Sequence, residues 1–371
     1  MRQIPLIFVL MILLSSNISL EKSSFDPITS DSTSARATGV DLSVTNSSYS
    51  YANSADEAKY RMFSSNFPII GFNKPYELFV IDTMVNIPTK VTIEVENFGT
   101  NPSGTIDINI KLLHNEYTQF EIVNDTIQMA SLNGGSSNNI QHQFTSTYSG
   151  NHTIWIMVTS SIADDNNNND VWAKGFAVGS QYDNCDMLTS WTVGNLWSSN
   201  TDASISNGKS CHVGAGSSST YNNNMQTSLI TPAIDMSDAV GNPTRTNGLS
   251  FFYSGSAAAN DYLKIYSKNT IGGWNELASI SGTIDNNFAD GSNWQTFSVS
   301  NKGFASPLIP VPQADFHSQS QFKFEFFSDA SGVDMGYWVD DIVILYDQKV
   351  KHSEYSLSST GVTTTGSLPG D

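Results

Sequence analysis

Basic residues are scarce in this chain of 371 residues, which has 17 lysines and arginines against 35 aspartates and glutamates. Nucleic acids and anionic lipid surfaces both attract positively charged patches, so the formal net charge of −18 argues against either partner. Charged residues of both signs make up only 14% of the chain. The shortage of Lys and Glu, beside many Tyr, Phe, Thr, Val and Ile, favours strands over helices.

Long apolar runs are missing after the first 20 residues, so no later segment suits a transmembrane helix. Arg2, the apolar run Ile4–Leu14 and the small residues Ser15 and Ser16 are typical of a secretory signal peptide over residues 1–20. The alternative is an uncleaved N-terminal anchor. We therefore expect a secreted or cell-surface protein.

Cysteine is limited to Cys185 and Cys211. In an oxidising compartment an even pair predicts a disulfide, and two buried free thiols are the alternative.

Catalytic motifs are also missing. None of the six histidines lies in an H-E-x-x-H pattern, and the chain has no G-x-S-x-G elbow, P-loop or dinucleotide-binding fingerprint. Cys211 and His212 are adjacent, but neighbouring strand residues face opposite ways and make a poor nucleophile–base pair. A glycosidase with two distant carboxylates stays open, because such pairs have no fixed spacing. We expect a protein that is not an enzyme.

The chain divides into segments by composition. Residues 21–66 form a spacer and an ambiguous segment, in which Val40, Leu42 and Val44 alternate like a short strand and Ser54 begins a helix pattern. Residues 67–180 contain short strands separated by turn residues, which predicts a seven-stranded β-sandwich. The predicted strands include Val91–Val95, Ile106–Leu112, Ile122–Met129, Ile140–Phe144, Ile154–Val158 and Val171–Val178.

This first unit resembles the CARDB family of immunoglobulin-like, cell-adhesion-related domains of prokaryotic surface proteins. The residues that carry the resemblance are the strand Val91–Val95, Glu96–Thr100 after it, the turn Tyr148–His152 and the acidic loop Asp164–Asp170. The resemblance covers about residues 75–180 and implies an immunoglobulin-like fold with a stalk or adhesion role.

Residues 181–347 form a second unit with further predicted strands, at Leu249–Tyr253, Tyr262–Tyr266, Trp294–Val299 and Phe322–Phe327. Its order of motifs resembles MAM-like jelly rolls and the accessory sandwiches of secreted metallopeptidases of the immune inhibitor A type. The carrying residues are Leu229–Asp235, Leu249–Tyr253, Asp261–Ile265, Gly273-Trp274, Trp294–Phe297, Phe322–Phe326 and Gly336–Ile344. MAM domains usually have four cysteines, and this chain has two. Residues 348–371 are polar and predict a linker or the start of a further domain.

The segment Gly336–Tyr346 predicts a buried strand with two carboxylates in its middle. Side chains alternate along a strand, so one of Asp340 and Asp341 should point to the same side as Trp338. A buried carboxylate needs a partner, which a calcium ion or backbone N–H groups could supply. In the carbohydrate-binding jelly rolls that this unit resembles, an Asp on the final strand meets acids near the first strand at a structural calcium. That resemblance implies Asp340, with Asp183 and Asp186, as calcium ligands.

Two more features suggest binding. The loop Asp164–Asp170 is rich in oxygen ligands but lacks the Gly and closing Glu of an EF-hand, so a solvated hairpin is favoured over weak calcium binding. Aromatic residues more often fill the cores of sandwiches. Trp197 and Trp274 each lie beside turn residues, so they are the better candidates for exposed tryptophans that could stack on a sugar.

The sequence thus predicts an all-β protein, an immunoglobulin-like β-sandwich followed by a jelly-roll β-sandwich. The expected function is extracellular adhesion or binding of glycans or surface proteins. The alternatives are an accessory region of a secreted peptidase or other hydrolase, and a structural spacer of a cell envelope.

Overall fold

The computed structural model describes residues 38–60, 81–114, 121–201, 204, 208–214, 220–240, 247–282, 304–305, 309–349, 357–359 and 362–364. The signal peptide predicted at residues 1–20 and the strand predicted at Trp294–Val299 lie outside these ranges. Within these ranges, no helix is both long and apolar enough to cross a membrane.

The first unit is a sandwich of two β-sheets with one short helix, α1 (Ser54–Lys59), which begins after the N-cap Asn53. The sheets have the strand orders β1-β3-β6 and β2-β8-β7-β4-β5. The strands are β1 (Leu42–Tyr51), β2 (Thr83–Met84), β3 (Thr89–Asn97), β4 (Ile106–His114), β5 (Glu121–Met129), β6 (Ser136–Phe144), β7 (Gly150–Ser160) and β8 (Val171–Gly179).

Alternating side chains build the core of this sandwich. Val91, Ile93 and Val95 of β3 are fully buried, and so are Ile106, Ile108, Ile110 and Leu112 of β4 and Ile154, Ile156 and Val158 of β7. Because successive residues of a strand face opposite sides, each of these sets lines the same side of its sheet. The alternation predicted from the sequence is confirmed.

Strand β1 belongs to the first sandwich, although the sequence placed the start of that unit at residue 67. β1 pairs with β3 along its whole length, with a register shift between Val44 and Asn46. The loop between β7 and β8 fixes the first residue of β1, because the backbone amide of Leu42 donates a hydrogen bond to Oδ2 of Asp164 at 2.8 Å. With β1 and the short β2, the described sandwich has eight strands instead of the seven expected.

Burial raises the pKa of the Asp170 carboxyl in this loop to about 6, and the negative charges of Asp164 and Asp41 add to the rise. Oδ1 of Asp170 is enclosed and accepts no hydrogen bond from the described residues. An unfolded Asp has a pKa of about 3.9. The folded state therefore binds the proton more tightly, and this carboxyl lowers stability as the pH rises from about 4 through about 6.

We expect Asp170→Asn to raise the melting temperature at neutral pH and to leave it nearly unchanged near pH 4, where the carboxyl is protonated in the fold. Thermal melts of both proteins between pH 4 and pH 7.5 measure the difference. Asp164→Asn is the control and should be less stable at pH 7.5, because its carboxylate also accepts from the amide of Asn166 at 2.8 Å. If the difference in melting temperature between the wild type and Asp170→Asn stays constant with pH, the raised pKa of Asp170 is contradicted.

The second unit is also a sandwich of two antiparallel sheets. One has the order β10-β13-β19-β15-β16; the other has the order β11-β12-β20-β14-β17, with β9 beside β20 and β18 beside β14. The strands are β9 (Gln181–Asp183), β10 (Thr192–Val193), β11 (Trp197–Asn200), β12 (Ser210–Val213), β13 (Gln226–Ile230), β14 (Gly248–Ser256), β15 (Tyr262–Lys268), β16 (Trp274–Ser281), β17 (Phe304–Ala305), β18 (Ile309–Pro310), β19 (Phe322–Phe327) and β20 (Gly336–Leu345). A 3₁₀ turn covers Gln313–Asp315, and a hairpin of β21 (Leu357–Ser359) and β22 (Val362–Thr364) follows.

The two sheets of the second unit enclose an aromatic core. Phe322, Phe324 and Phe326 of β19 point inward and are at most 1% exposed. The predicted disulfide is present between Cys185 and Cys211, whose Cα atoms are 5.3 Å apart. The all-β fold class is confirmed in both units.

The central strand β20 is buried along all of its residues. Both carboxylates of this strand are buried, with Asp340 0% and Asp341 1% exposed. The register with β14 shifts where Asp341 adopts a φ of 45°, so that an extra residue of β20 lies opposite Phe251. This bulge interrupts the side-chain alternation that the sequence predicted, at the position of the two carboxylates.

A backbone amide and a phenol donate hydrogen bonds to these two carboxylates. Oδ1 of Asp340 accepts from the amide of Asp341 at 2.7 Å. Oδ1 of Asp341 accepts from the hydroxyl of Tyr182 at 2.5 Å. Of the two partners expected from the sequence, a backbone N–H group is therefore present at Asp340.

The two sandwiches meet at a tight junction. Only Ser180 separates β8 from β9, and its amide donates to the carbonyl of Ile344 at 2.9 Å. Asp347, fully buried, accepts at Oδ1 from the amide of Asn151 at 2.6 Å. Gly150 has a φ of 115°, and a Cβ there would lie 2.4 Å from Oδ1 of Asp347, so only glycine fits.

Candidate functional site

The solvent-facing surface of one sheet in the second sandwich carries partly exposed aromatic residues. They lie on the sheet β10-β13-β19-β15-β16, on the side opposite the buried Phe324, Leu263 and Ile265. We call this surface the outer aromatic face and define it by Tyr262, Tyr266, Trp274 and Phe327, all of which are half-buried. A group of aromatic side chains that partly reach solvent on one sheet makes this surface the candidate site.

The register of the strands arranges this face in rows across the sheet. In the first row Tyr266 lies beside Lys323, which lies beside Ile230. In the last row Tyr262 lies beside Phe327, and their rings stack with centroids 4.9 Å apart.

Between them, the middle row is polar. Lys264 lies beside Glu325, which lies beside Ser228.

The face therefore has aromatic rings at both ends and hydrogen-bonding groups in the middle. One end has Tyr266 and the nearby Trp274, which lies beside Lys268, and the other has Tyr262 and Phe327. We call these two ends the aromatic rows.

Two lysines lie over the rings of the face. The ammonium of Lys323 is 4.2 Å from the ring centroid of Tyr266 and 5.1 Å from that of Trp274. The ammonium of Lys264 is 5.0 Å from the ring centroid of Tyr262. Such cation–π contacts hold the rings in place at the surface.

Each of these lysines is paired with a carboxylate. Lys264 donates to Glu276 at 2.8 Å, and Lys323 donates to Glu325. Glu325 also accepts from the amide of Gln226 at 2.6 Å. The face thus presents donors and acceptors side by side, with its charges neutralised in pairs.

The pKa values at the face keep these pairs ionised. The hydrogen bond from Lys264 to Glu276 raises the pKa of the lysine. Burial raises the pKa of Glu325, but the hydrogen bonds from Gln226 and Lys323 outweigh it, so that the pKa is lowered overall. Burial and then the charge of Glu325 raise the pKa of the Tyr266 phenol, which stays a neutral hydrogen-bond donor.

Of the two tryptophans predicted to be exposed, the structure places only Trp274 on this face. Trp197 is 4% exposed and belongs to the core of the second unit, so the prediction of its exposure is wrong. Although a Gly-containing turn precedes it, Trp197 begins β11 and points inward from the first residue of that strand.

Asp183, predicted as a calcium ligand, accepts two N–H groups. Its Oδ1 accepts from the amide of Cys185 at 2.7 Å, and its Oδ2 from the indole of Trp191 at 3.2 Å. Burial raises the pKa of this carboxyl, and the two hydrogen bonds counter that rise. Each oxygen of this carboxylate thus accepts one N–H group.

Both carboxylate oxygens of Asp186 also accept hydrogen bonds from N–H groups. Its Oδ1 accepts from the amide of Lys209 at 2.9 Å, and its Oδ2 from the side-chain amide of Asn184 at 2.7 Å. No group of three or more His, Cys, Asp or Glu within the described ranges is arranged to hold a metal ion. Calcium at Asp340, Asp183 and Asp186 stays a prediction, and these hydrogen bonds do not favour it.

Sequence reasoning missed Tyr262, Tyr266 and Phe327. A signal was present, because Tyr262, Lys264 and Tyr266 alternate with Leu263 and Ile265. Such a strand has an apolar side for the core and an aromatic, charged side for solvent.

The solved structures that match this chain have low identity to it and low TM-scores. A CARDB domain from Pyrococcus furiosus, in complex with di-metal ions, is 16% identical over 39% of this chain and 93% of that chain, with a TM-score of 0.24. A carbohydrate-binding module of the β-sandwich superfamily is 12% identical over 68% of this chain and 91% of that chain, with a TM-score of 0.32. A tandem of carbohydrate-binding modules from Paenibacillus barcinonensis is 9% identical over 84% and 99%, with a TM-score of 0.26.

No protein-family model and no curated protein matches this chain. The strand pairing described above, and not these distant similarities, carries the assignment of two β-sandwiches. The likeness of the second unit to MAM domains stays a prediction.

Proposed function

We propose that this protein is a non-catalytic extracellular binding protein, and that its second sandwich holds a glycan on the outer aromatic face. The observation that carries the proposal is the presence of half-buried aromatic rings and paired hydrogen-bonding groups on one sheet surface. A sugar ring has an apolar side of C–H groups and a rim of hydroxyls. Aromatic rings fit the first, and mixed donors and acceptors fit the second.

An extracellular location is supported by two features of the chain. The first 20 residues have the composition of a signal peptide. The disulfide between Cys185 and Cys211 suits an oxidising compartment. The first sandwich would then serve as a stalk that presents the second.

We expect Trp274→Ala to weaken glycan binding by roughly tenfold or more, because truncation of an aromatic anchor typically costs about 2 kcal/mol or more. Affinity electrophoresis in gels that contain a neutral β-glucan, a xylan or a galactan identifies a polysaccharide that retards the protein. Isothermal titration calorimetry with that polysaccharide then measures the loss.

Trp155→Ala is the matched control, since Trp155 is a partly exposed tryptophan on a sheet of the first sandwich. It should bind as the wild type does. Equal binding by Trp274→Ala and wild type would place the glycan elsewhere. If no polysaccharide retards the wild type while a surface protein binds the same face, the ligand is a protein. If the protein binds the substrate of a hydrolase and keeps it close to a catalytic domain, it acts as an accessory region of that hydrolase.

A further inference from the structure

The two aromatic rows of the outer aromatic face lie far apart along the strands. Tyr262 and Tyr266 are four residues apart on β15 and point to the same side. At about 3.4 Å per residue, this separation is about 14 Å. A single sugar ring is too small to contact both rows, whereas a chain of linked rings along the strand reaches from one to the other.

The middle row suits hydroxyl groups. Lys264 and Glu325 are cross-strand neighbours, and Ser228 follows Glu325 on the next strand. An ammonium donates hydrogen bonds, a carboxylate accepts them, and the serine hydroxyl does both. A sugar hydroxyl also does both, so the central rings of a chain find partners at this row.

The charges of the face argue against an anionic chain. Lys264 and Lys323 are each already paired with a glutamate, at Glu276 and Glu325. The whole chain has a formal net charge of −18, which repels polyanions at a distance. An uncharged ligand leaves both pairs intact.

We propose that the ligand is an extended, uncharged polysaccharide chain that lies along β15 and β19 and contacts both aromatic rows at once. This inference rests on the proposed glycan-binding function and adds the length and charge of the ligand. Its consequence is that affinity depends on chain length. A chain that covers one row makes only part of the aromatic contacts, and a chain that covers both makes all of them without a second loss of translational freedom.

The test is isothermal titration calorimetry of the full chain with oligosaccharides of increasing length, cut from the neutral polysaccharide that retards the protein best. We expect a hexasaccharide to bind roughly tenfold or more tightly than a disaccharide. Tyr262→Ala should reduce the affinity for the hexasaccharide and bring the ratio of the two affinities close to one. Tyr262→Phe, which keeps the ring, should keep the ratio.

Equal affinity of the wild type for the disaccharide and the hexasaccharide would overturn the proposal. So would tighter binding of a polyuronate that weakens with added salt, because that behaviour belongs to an anionic ligand. Both results still require a glycan at the protein surface. The proposed function itself fails in a different way, when no polysaccharide, neutral or charged, retards the wild type.

Discussion

Replacing Phe324 by alanine should lower the free energy of unfolding by about 3–5 kcal/mol, the range for a buried phenylalanine cut to alanine. Phe324 is 0% exposed and lies in the middle of β19 between Leu229 of β13 and Ile265 of β15. Its ring packs edge to face against Phe251 of the opposite sheet, with centroids 5.2 Å apart. The truncation leaves a cavity between the two sheets, which urea denaturation followed by tryptophan fluorescence measures as a lower midpoint.

Phe327→Ala is a control on the same strand, because Phe327 points to the other side of the sheet and is half-buried. We expect a loss of about 1 kcal/mol, typical of a partly exposed site. Its main effect should be weaker glycan binding, whereas folded Phe324→Ala should still bind. Equal destabilisation by the two substitutions would mean that both sides of this sheet are covered alike.

Removing the disulfide should lower the free energy of unfolding by about 3.5 kcal/mol on the chain-entropy relation for a loop of this length. Cys185 and Cys211 are separated by 26 residues, and both are fully buried. The bond ties the start of the second unit to β12, which pairs with the central strand β20. Without it, the unfolded chain gains freedom while the fold loses a buried cross-link.

The double variant Cys185→Ala/Cys211→Ala measures this effect in urea against the wild type. Dithiothreitol is the internal control, because it should destabilise the wild type and leave the double variant unchanged. If the variant unfolds at the wild-type midpoint, the bond adds no stability. If dithiothreitol shifts the double variant, then the reductant acts on the fold by another route.

Much of the fold could be predicted because its strands alternate cleanly. Val91, Ile93 and Val95 of β3 alternate with polar residues, as do the aliphatic residues of β4 from Ile106 to Leu112, which allows only one side of each strand to face the core. The part of β1 that the sequence hid contains Asn46, Ser47 and Ser48 after a register shift, so its alternation stops halfway. Its assignment to the first sandwich depends on pairing with β3, which no local pattern reveals.

The candidate site was harder to predict than the fold. Trp274 could be named because a glycine precedes it in a turn, but the same argument failed for Trp197, which a strand turns inward. The two buried carboxylates of β20 could not be placed by alternation, because a bulge at Asp341 breaks it. The direction of Trp197 and the position of the bulge at Asp341 both depend on strand pairing, which the local sequence does not encode.

The junction at Ser180 has a mechanical consequence. A flexible linker would let one sandwich move freely relative to the other. Here a single residue joins the sandwiches, and Val343 of β20 also packs into the core of the first one. Tension applied through a ligand on the second sandwich would pass directly into the first, because no flexible linker lies between them. The two sandwiches would then turn together as one body.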